Sequence, residues 1–149
     1  MKRLIITAVV AVVGTGSAVA GPVAPSAVVF KEGAVEASLT GVAGDPAAGK
    51  KAFINRKQGN CLACHATSDL KDQPFHGEIG PALDGVAGRW TTAQLRGIVS
   101  NAKNTFEGTI MPAFYRDSGF HRVKKKFKGK TILTAQQVED VVAYLKTLK

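Results

Sequence analysis

Cysteine is scarce in this chain: Cys61 and Cys64 are the only two in 149 residues. That excludes a disulfide-dense scaffold, and without a second Cys pair it argues against a structural zinc site. Long apolar runs are scarce too. One segment, at the start, is apolar enough to weigh as a membrane span, which excludes a polytopic membrane protein. Acidic residues are few, 11 against 20 Lys and Arg, giving a formal net charge of +9. Against these shortages stands an ordinary globular balance of 45% hydrophobic and 21% charged residues, which excludes a disordered or fibrous chain. The length suits one domain with a tail.

The apolar start has the layout of a secretory signal peptide. Lys2 and Arg3 precede the apolar run from Leu4 to Val13, Gly14 to Ser17 break it, and Ala18-Val19-Ala20 is a small-x-small cleavage site. The alternative is an uncleaved anchor, since Leu4 to Phe30 carries no charge. Pro22 and Pro25 argue against a spanning helix. Residues 1–20 are therefore expected to be removed, with loss of two positive charges. The product is expected in the periplasm, with no membrane association after cleavage.

Residues 21–44 show no sustained period and are expected to form an extended arm, with a short strand at Val35 to Leu39. Residues 45–149 form the domain. Asp45-Pro46 starts a helix reaching about Lys57, stopped by Gly59-Asn60. Asp69 to Arg89 is rich in Gly, Pro and Asp and reads as loop. Thr91 and Gln94 form a capping box before a helix with Leu95, Ile98 and Val99 on its apolar face. Asn101 to Gly129 is again mostly irregular. Thr134 and Gln137 cap the last helix, whose Val138, Val141, Val142, Leu145 and Leu148 recur at helical spacing. Glu139 and Asp140 early and Lys146 and Lys149 late suit the macrodipole. The fold expected is mainly α, three or more helices with long loops. Loops that long suit a core filled in part by something other than protein.

Cys61-Leu62-Ala63-Cys64-His65 supplies that filling. C-x-x-C-H is the attachment motif of c-type haem: two thiols at this spacing add to the two vinyl groups of one haem, and the adjacent His becomes an axial iron ligand. A thioredoxin-like dithiol needs a βαβ context that is absent around Cys61. Both cysteines lie in the motif, so one covalent haem c is expected.

The sixth ligand is expected to be Met111. Without Met1 it is the last methionine left, and it sits before Pro112 in a loop rather than on an apolar stripe. His76 and His121 are the rivals, read as loop residues. A His/Met pair suits electron transfer rather than oxygen activation, whereas an open iron position would mark a small enzyme or gas sensor. Around the iron, the Pro81 carbonyl is a partner for the second ring nitrogen of His65. Arg89 and Trp90 are candidates for the haem propionates, with a plain turn for Gly80-Pro81 and core packing for Trp90 as the competing readings.

From Asp45 onward the order of helix, C-x-x-C-H, Gly-Pro loop, Met-Pro loop and final helix with Tyr144 resembles a class I cytochrome c. Several strings together resemble the SoxX family: Ser38-Leu39-Thr40-Gly41, Gly44-Asp45-Pro46, Gly59-Asn60-Cys61-Leu62-Ala63-Cys64-His65, Gly80 to Val86, and Gln137 to Leu145. These are monohaem subunits of the SoxAX complexes of bacterial thiosulfate oxidation. The resemblance implies a heterodimer with a haem-bearing SoxA-like subunit, which together act as an L-cysteine S-thiosulfotransferase joining thiosulfate to a cysteine of a carrier protein. It implies that this chain has no catalytic residue and carries electrons to an acceptor cytochrome c. The alternative is a stand-alone cytochrome c of a respiratory or photosynthetic chain.

One run remains outside that scheme: Arg122, Lys124, Lys125, Lys126, Lys128 and Lys130, with Phe120 and Phe127 interleaved. An exported protein meets little nucleic acid, so none is expected as a partner. The run reads either as a solvated loop or as a steering surface for anionic partners.

Overall fold

The structure is a computed structural model that describes residues 21–149, the Lys126 side chain excepted. The expected signal peptide, residues 1–20, lies outside the described residues. Among the described residues the architecture is helical: α1 (Pro46–Ile54), α2 (Val86–Arg89), α3 (Thr92–Asn101) and α4 (Ala135–Leu145), joined by loops with short 3-10 turns. None of these helices is long and apolar enough to cross a membrane.

The helix starts follow local chemistry. The Asp45 carboxylate accepts the Ala47 N–H at 2.8 Å, and Pro46 occupies the first helical turn, where its missing N–H is harmless. Thr91 and Gln94 exchange side-chain and backbone hydrogen bonds at α3, as do Thr134 and Gln137 at α4. The end of α1 comes earlier than Lys57. Asn55 turns to an extended conformation, and its Oδ1 accepts the Lys57 N–H at 2.8 Å, a local bond that competes with further helix. Helix α2 and the 3-10 turn Ser68–Leu70 lie where only loop was expected. Tertiary contacts hold α2 rather than periodicity: Ala87 N–H donates to the Leu148 carbonyl at 3.0 Å, and Lys146 Nζ donates to the Ala87 carbonyl at 2.6 Å.

Helix α4 is the spine of the core. Val138, Val141, Val142, Leu145 and Leu148 are all buried. Helix α1 crosses α4 at Gly49, where any Cβ would collide with the Asp140 carbonyl, so only glycine permits this approach of the two backbones. Phe53 of α1 meets Tyr144 of α4 edge to face, with centroids 5.3 Å apart.

The arm departs from expectation at Val35 to Leu39, which form no strand. A tight turn with Glu32 and Gly33 at positive φ brings Lys31 and Ala34 into a single bridge. Beyond it the backbone is satisfied by helices. Val35 N–H donates to the Ala93 carbonyl at 2.9 Å, and Leu39 N–H donates to the Glu139 carboxylate at 2.7 Å. Val35 and Leu39 join the same hydrophobic core as the helices. Glu139 itself pairs with Arg96 of α3: Nε to Oε1 at 2.8 Å and Nη2 to Oε2 at 3.1 Å, with both side chains buried. Arg96 Nη1 also donates to the Val35 carbonyl at 2.7 Å. Glu139 and Asp140 are therefore interior anchors rather than surface complements to the macrodipole. Asp140 accepts the Asp45 N–H at 2.9 Å, fixing the start of α1.

Candidate haem site

The motif begins at Asn60, held in the left-handed region at φ 49°, a conformation Asn tolerates better than most residues. From there Cys61–Ala63 winds into a 3-10 turn. The Cys61 carbonyl accepts the N–H of Cys64 at 3.1 Å and of His65 at 2.9 Å. Leu62 is the buried anchor of the turn, while Cys61, Cys64 and His65 are half-buried. Burial pushes the Cys61 thiol up to about 12, with the neighbouring Cys64 adding to the shift.

The segment from Gly77 to Leu83 lies alongside this turn. Gly77 N–H donates to the Leu62 carbonyl at 2.8 Å, Gly80 N–H to the Cys64 carbonyl at 2.7 Å, and Leu83 N–H to the Ala66 carbonyl at 2.9 Å. That alignment sets Pro81 beside His65, with its carbonyl oxygen 2.8 Å from Nδ1. A carbonyl only accepts, so Nδ1 carries the proton and Nε2 is left with a lone pair, the form of imidazole that ligates a metal. Gly80 stacks directly on the imidazole, and any Cβ there would overlap three ring atoms.

The rest of that loop is held from below. Asp84 accepts the Ser68 N–H at 2.9 Å and its hydroxyl at 2.6 Å, and these bonds hold its carboxyl below the usual range. Arg89, considered above for the propionates, donates to the Asp84 carbonyl at 2.6 Å and the Ala82 carbonyl at 2.9 Å, bracing the Pro81 loop. Trp90 packs edge to face on Phe106, with centroids 5.8 Å apart. Asp69 accepts from the Tyr144 hydroxyl at 2.8 Å and pairs with Lys50 at 2.9 Å. Desolvation, and then Asp69, push the Tyr144 hydroxyl upward.

Met111 is half-buried and packs against the core cluster. Its N–H donates to Thr109 Oγ1 at 3.2 Å, and Lys103 Nζ donates to the Thr109 carbonyl at 2.9 Å and the Met111 carbonyl at 2.5 Å. Sequence reasoning passed over Lys103, whose signal is a cation in the turn just after α3, ahead of the methionine loop. Of the rivals, His76 spends Nε2 on the Leu70 carbonyl at 2.8 Å, and His121 is exposed. Two grooves, of about 410 and 750 Å³, lie along the arm and are lined by neither cysteine, nor His65, nor Met111. The donor set fits a haem c: two thiols on one turn, an imidazole with Nε2 free for iron, and a thioether. Ile79 and Ile110, beside Gly80 and Met111 in sequence, are 68% and 76% exposed, apolar surface of the kind a porphyrin covers.

A cytochrome c family profile matches residues 46–149. Among solved structures the chain is similar to SoxXA from P. pantotrophus, with 56% sequence identity and a TM-score of 0.81 over 86% of this chain and 98% of that one. The chain belongs to the cytochrome c family, as a SoxX-type member. It is also similar to the c-type cytochrome SorU from Sinorhizobium meliloti, at 25% identity and a TM-score of 0.46, covering 69% of this chain and 88% of that one. None of the curated proteins matches it. The cytochrome binds haem c covalently and is an electron-transfer subunit. The SoxX resemblance read from the sequence and the mainly helical cytochrome c fold are both borne out.

Proposed function

We propose that this cytochrome carries one haem c, joined to Cys61 and Cys64 and ligated by His65 and Met111. It works in the periplasm as the electron-conducting half of a heterodimer with a SoxA-like haem subunit. In this reading thiosulfate is joined oxidatively to a carrier-protein cysteine on the partner, and electrons leave through this chain to an acceptor cytochrome c. The observation that carries the partnership is the likeness to SoxXA, which spans 98% of that chain at 56% identity.

When bound, a haem with His/Met ligation supplies a one-electron couple at raised potential. The residues of this chain prepare for it. The Pro81 carbonyl holds the proton of His65 on Nδ1, fixing the ring's tautomer and orientation. Gly80 lets the loop stack on the ring without displacing it. Arg89 and Asp84 keep that loop from shifting. A rigid imidazole lowers the reorganisation that accompanies electron gain and loss.

The test is expression of the full chain, with its first 20 residues, beside a SoxA-like subunit. Periplasmic extract is purified on a tag carried by this chain alone, and intact mass is measured. The expected product starts near Gly21, is heavier by one haem, and brings the partner with it. A chain that purifies alone with its haem and folds without a partner would instead support a stand-alone carrier.

A further inference from the structure

We infer that Lys103 is the positioning residue of the distal ligand: its ammonium locks the methionine loop shut by bridging the carbonyls on either side of Ile110. This rests on the reading of Met111 as the sixth ligand.

Phe106 anchors the start of the loop on Trp90, but between Phe106 and Met111 few other contacts hold its shape. After α3 the chain turns at Ala102–Asn104, and Phe106 N–H donates back to the Ala102 carbonyl at 2.9 Å. Gly108 stands at φ 70°, reversing the chain. From Glu107 to Ile110 the remaining backbone bond is Thr109 N–H to the Phe106 carbonyl, at a long 3.4 Å. Ile110 is 76% exposed and gives the loop no apolar anchor. Met111 is thus tethered on its N-terminal side by a weak turn and by its own N–H to Thr109 Oγ1 at 3.2 Å, a bond internal to the same loop. Lys103 supplies what the turn lacks, with Nζ at 2.9 Å from the Thr109 carbonyl and 2.5 Å from the Met111 carbonyl.

Both acceptors are backbone atoms, so the clamp sets where the Met111 Cα sits, whatever rotamer its side chain takes. No carboxylate competes for the ammonium among the described ion pairs, which are Lys50–Asp69 and Arg96–Glu139. Hydrogen bonds from a charged donor are stronger than neutral ones, though exposure of Lys103 reduces their net effect. A thioether is a weak ligand, held on iron as much by the loop as by its own bond. Releasing the clamp therefore frees the distal position to an outside ligand more than it weakens the fold.

Imidazole binding to the ferric holoprotein measures that release, because imidazole enters only when the methionine loop opens. Lys103→Ala is expected to raise imidazole affinity about tenfold, since two hydrogen bonds of modest net strength each are lost. The weak red-end absorption of thioether-ligated ferric iron should fade at lower temperature than in the wild type, while the global unfolding temperature moves only a few degrees. Lys103→Arg, which keeps charge and donors, should restore most of the wild-type affinity. Wild-type imidazole affinity in Lys103→Ala overturns the inference, and so does a gain that Lys103→Arg fails to reverse. Should Lys103→Ala yield no folded holoprotein, Lys103→Met, which keeps the length of the stem and carries no donor, is read by the same outcomes. Met111→Ala separates the underlying reading: if that variant keeps the red-end band, Met111 is not the ligand and both readings fall. If the band is lost there but Lys103→Ala behaves as wild type, only the clamp falls.

Discussion

Glu139→Ala should be among the most damaging substitutions outside the haem motif. The Glu139 carboxylate accepts three hydrogen bonds, from Leu39 N–H at 2.7 Å, Arg96 Nε at 2.8 Å and Arg96 Nη2 at 3.1 Å. Its side chain is 5% exposed and that of Arg96 9%. Removing it leaves a guanidinium with no counter-charge in the interior and an unpaired Leu39 N–H. Breaking a buried pair from one side costs about 3–5 kcal/mol. In a chain of this size each kcal/mol shifts the melting temperature by roughly 3–5 °C, so a drop on the order of 10–20 °C is expected. Deleting both partners should not rescue it, in contrast to many buried pairs, because Arg96 also satisfies the carbonyls of Val35 and Glu36. An Arg96→Leu/Glu139→Leu double variant should stay about 2–4 kcal/mol below wild type, from carbonyls left without donors. Guanidinium unfolding of the holoprotein, followed by circular dichroism with haem absorbance alongside, measures both values. A loss below about 1 kcal/mol in Glu139→Ala would mean that water reaches the pair and takes over its role, and the reasoning would be refuted.

Other expectations concern the cofactor and the charged surface. Cys61→Ala/Cys64→Ala should abolish the haem-stained band on a denaturing gel and leave the chain largely unfolded; a stained band would exclude covalent attachment at these positions. Met111→Ala should lose the red-end absorption and lower the reduction potential, since a thioether favours ferrous iron more than water or imidazole does; spectropotentiometry reads both, and unchanged values would redirect attention to His76 and His121. Neutralising Lys124, Lys125 and Lys128 together should slow association with an electron-transfer partner at low salt and converge on wild type as screening shortens toward ~8 Å at physiological ionic strength. Stopped-flow rates that match wild type at every salt concentration would leave that run as a solvated loop.

What the sequence made legible is what short stretches of chain decide for themselves. The two capping boxes span one helical turn each, and the C-x-x-C-H turn is closed by bonds from Cys64 and His65 back to Cys61. The family could be read for the same reason, from contiguous strings. The features missed are settled by partners far away. Val35 to Leu39 alternates apolar and polar residues as a strand does, but its backbone groups find Ala93, Arg96 and Glu139 instead of another strand. Glu139 looks like a helix-dipole residue until Arg96, 43 positions upstream, is seen beside it. Helix α2 has no periodicity to read, being held by Leu148 and Lys146. Asn55 ends α1 by a local bond, and there the competing signal, Gly59-Asn60, was simply the louder one.

The fastening of the arm and the start of α1 to the C-terminal part of the chain also dictates an order of events. Leu39 reaches Glu139 across 100 residues, Asp45 reaches Asp140 across 95, and the Tyr115 hydroxyl reaches the Val23 carbonyl across 92. Contacts so distant along the chain require large loops to close and form late. The haem-binding turn needs no such wait, since its own bonds are local. A chain synthesised from its N-terminus therefore presents Cys61 and Cys64 while the arm is still undocked, and the arm can settle only once the final helix has arrived. Protease resistance of residues 21–44 is accordingly a reporter of completion: it should appear after haem attachment, and a chain cut short before Glu139 should never acquire it.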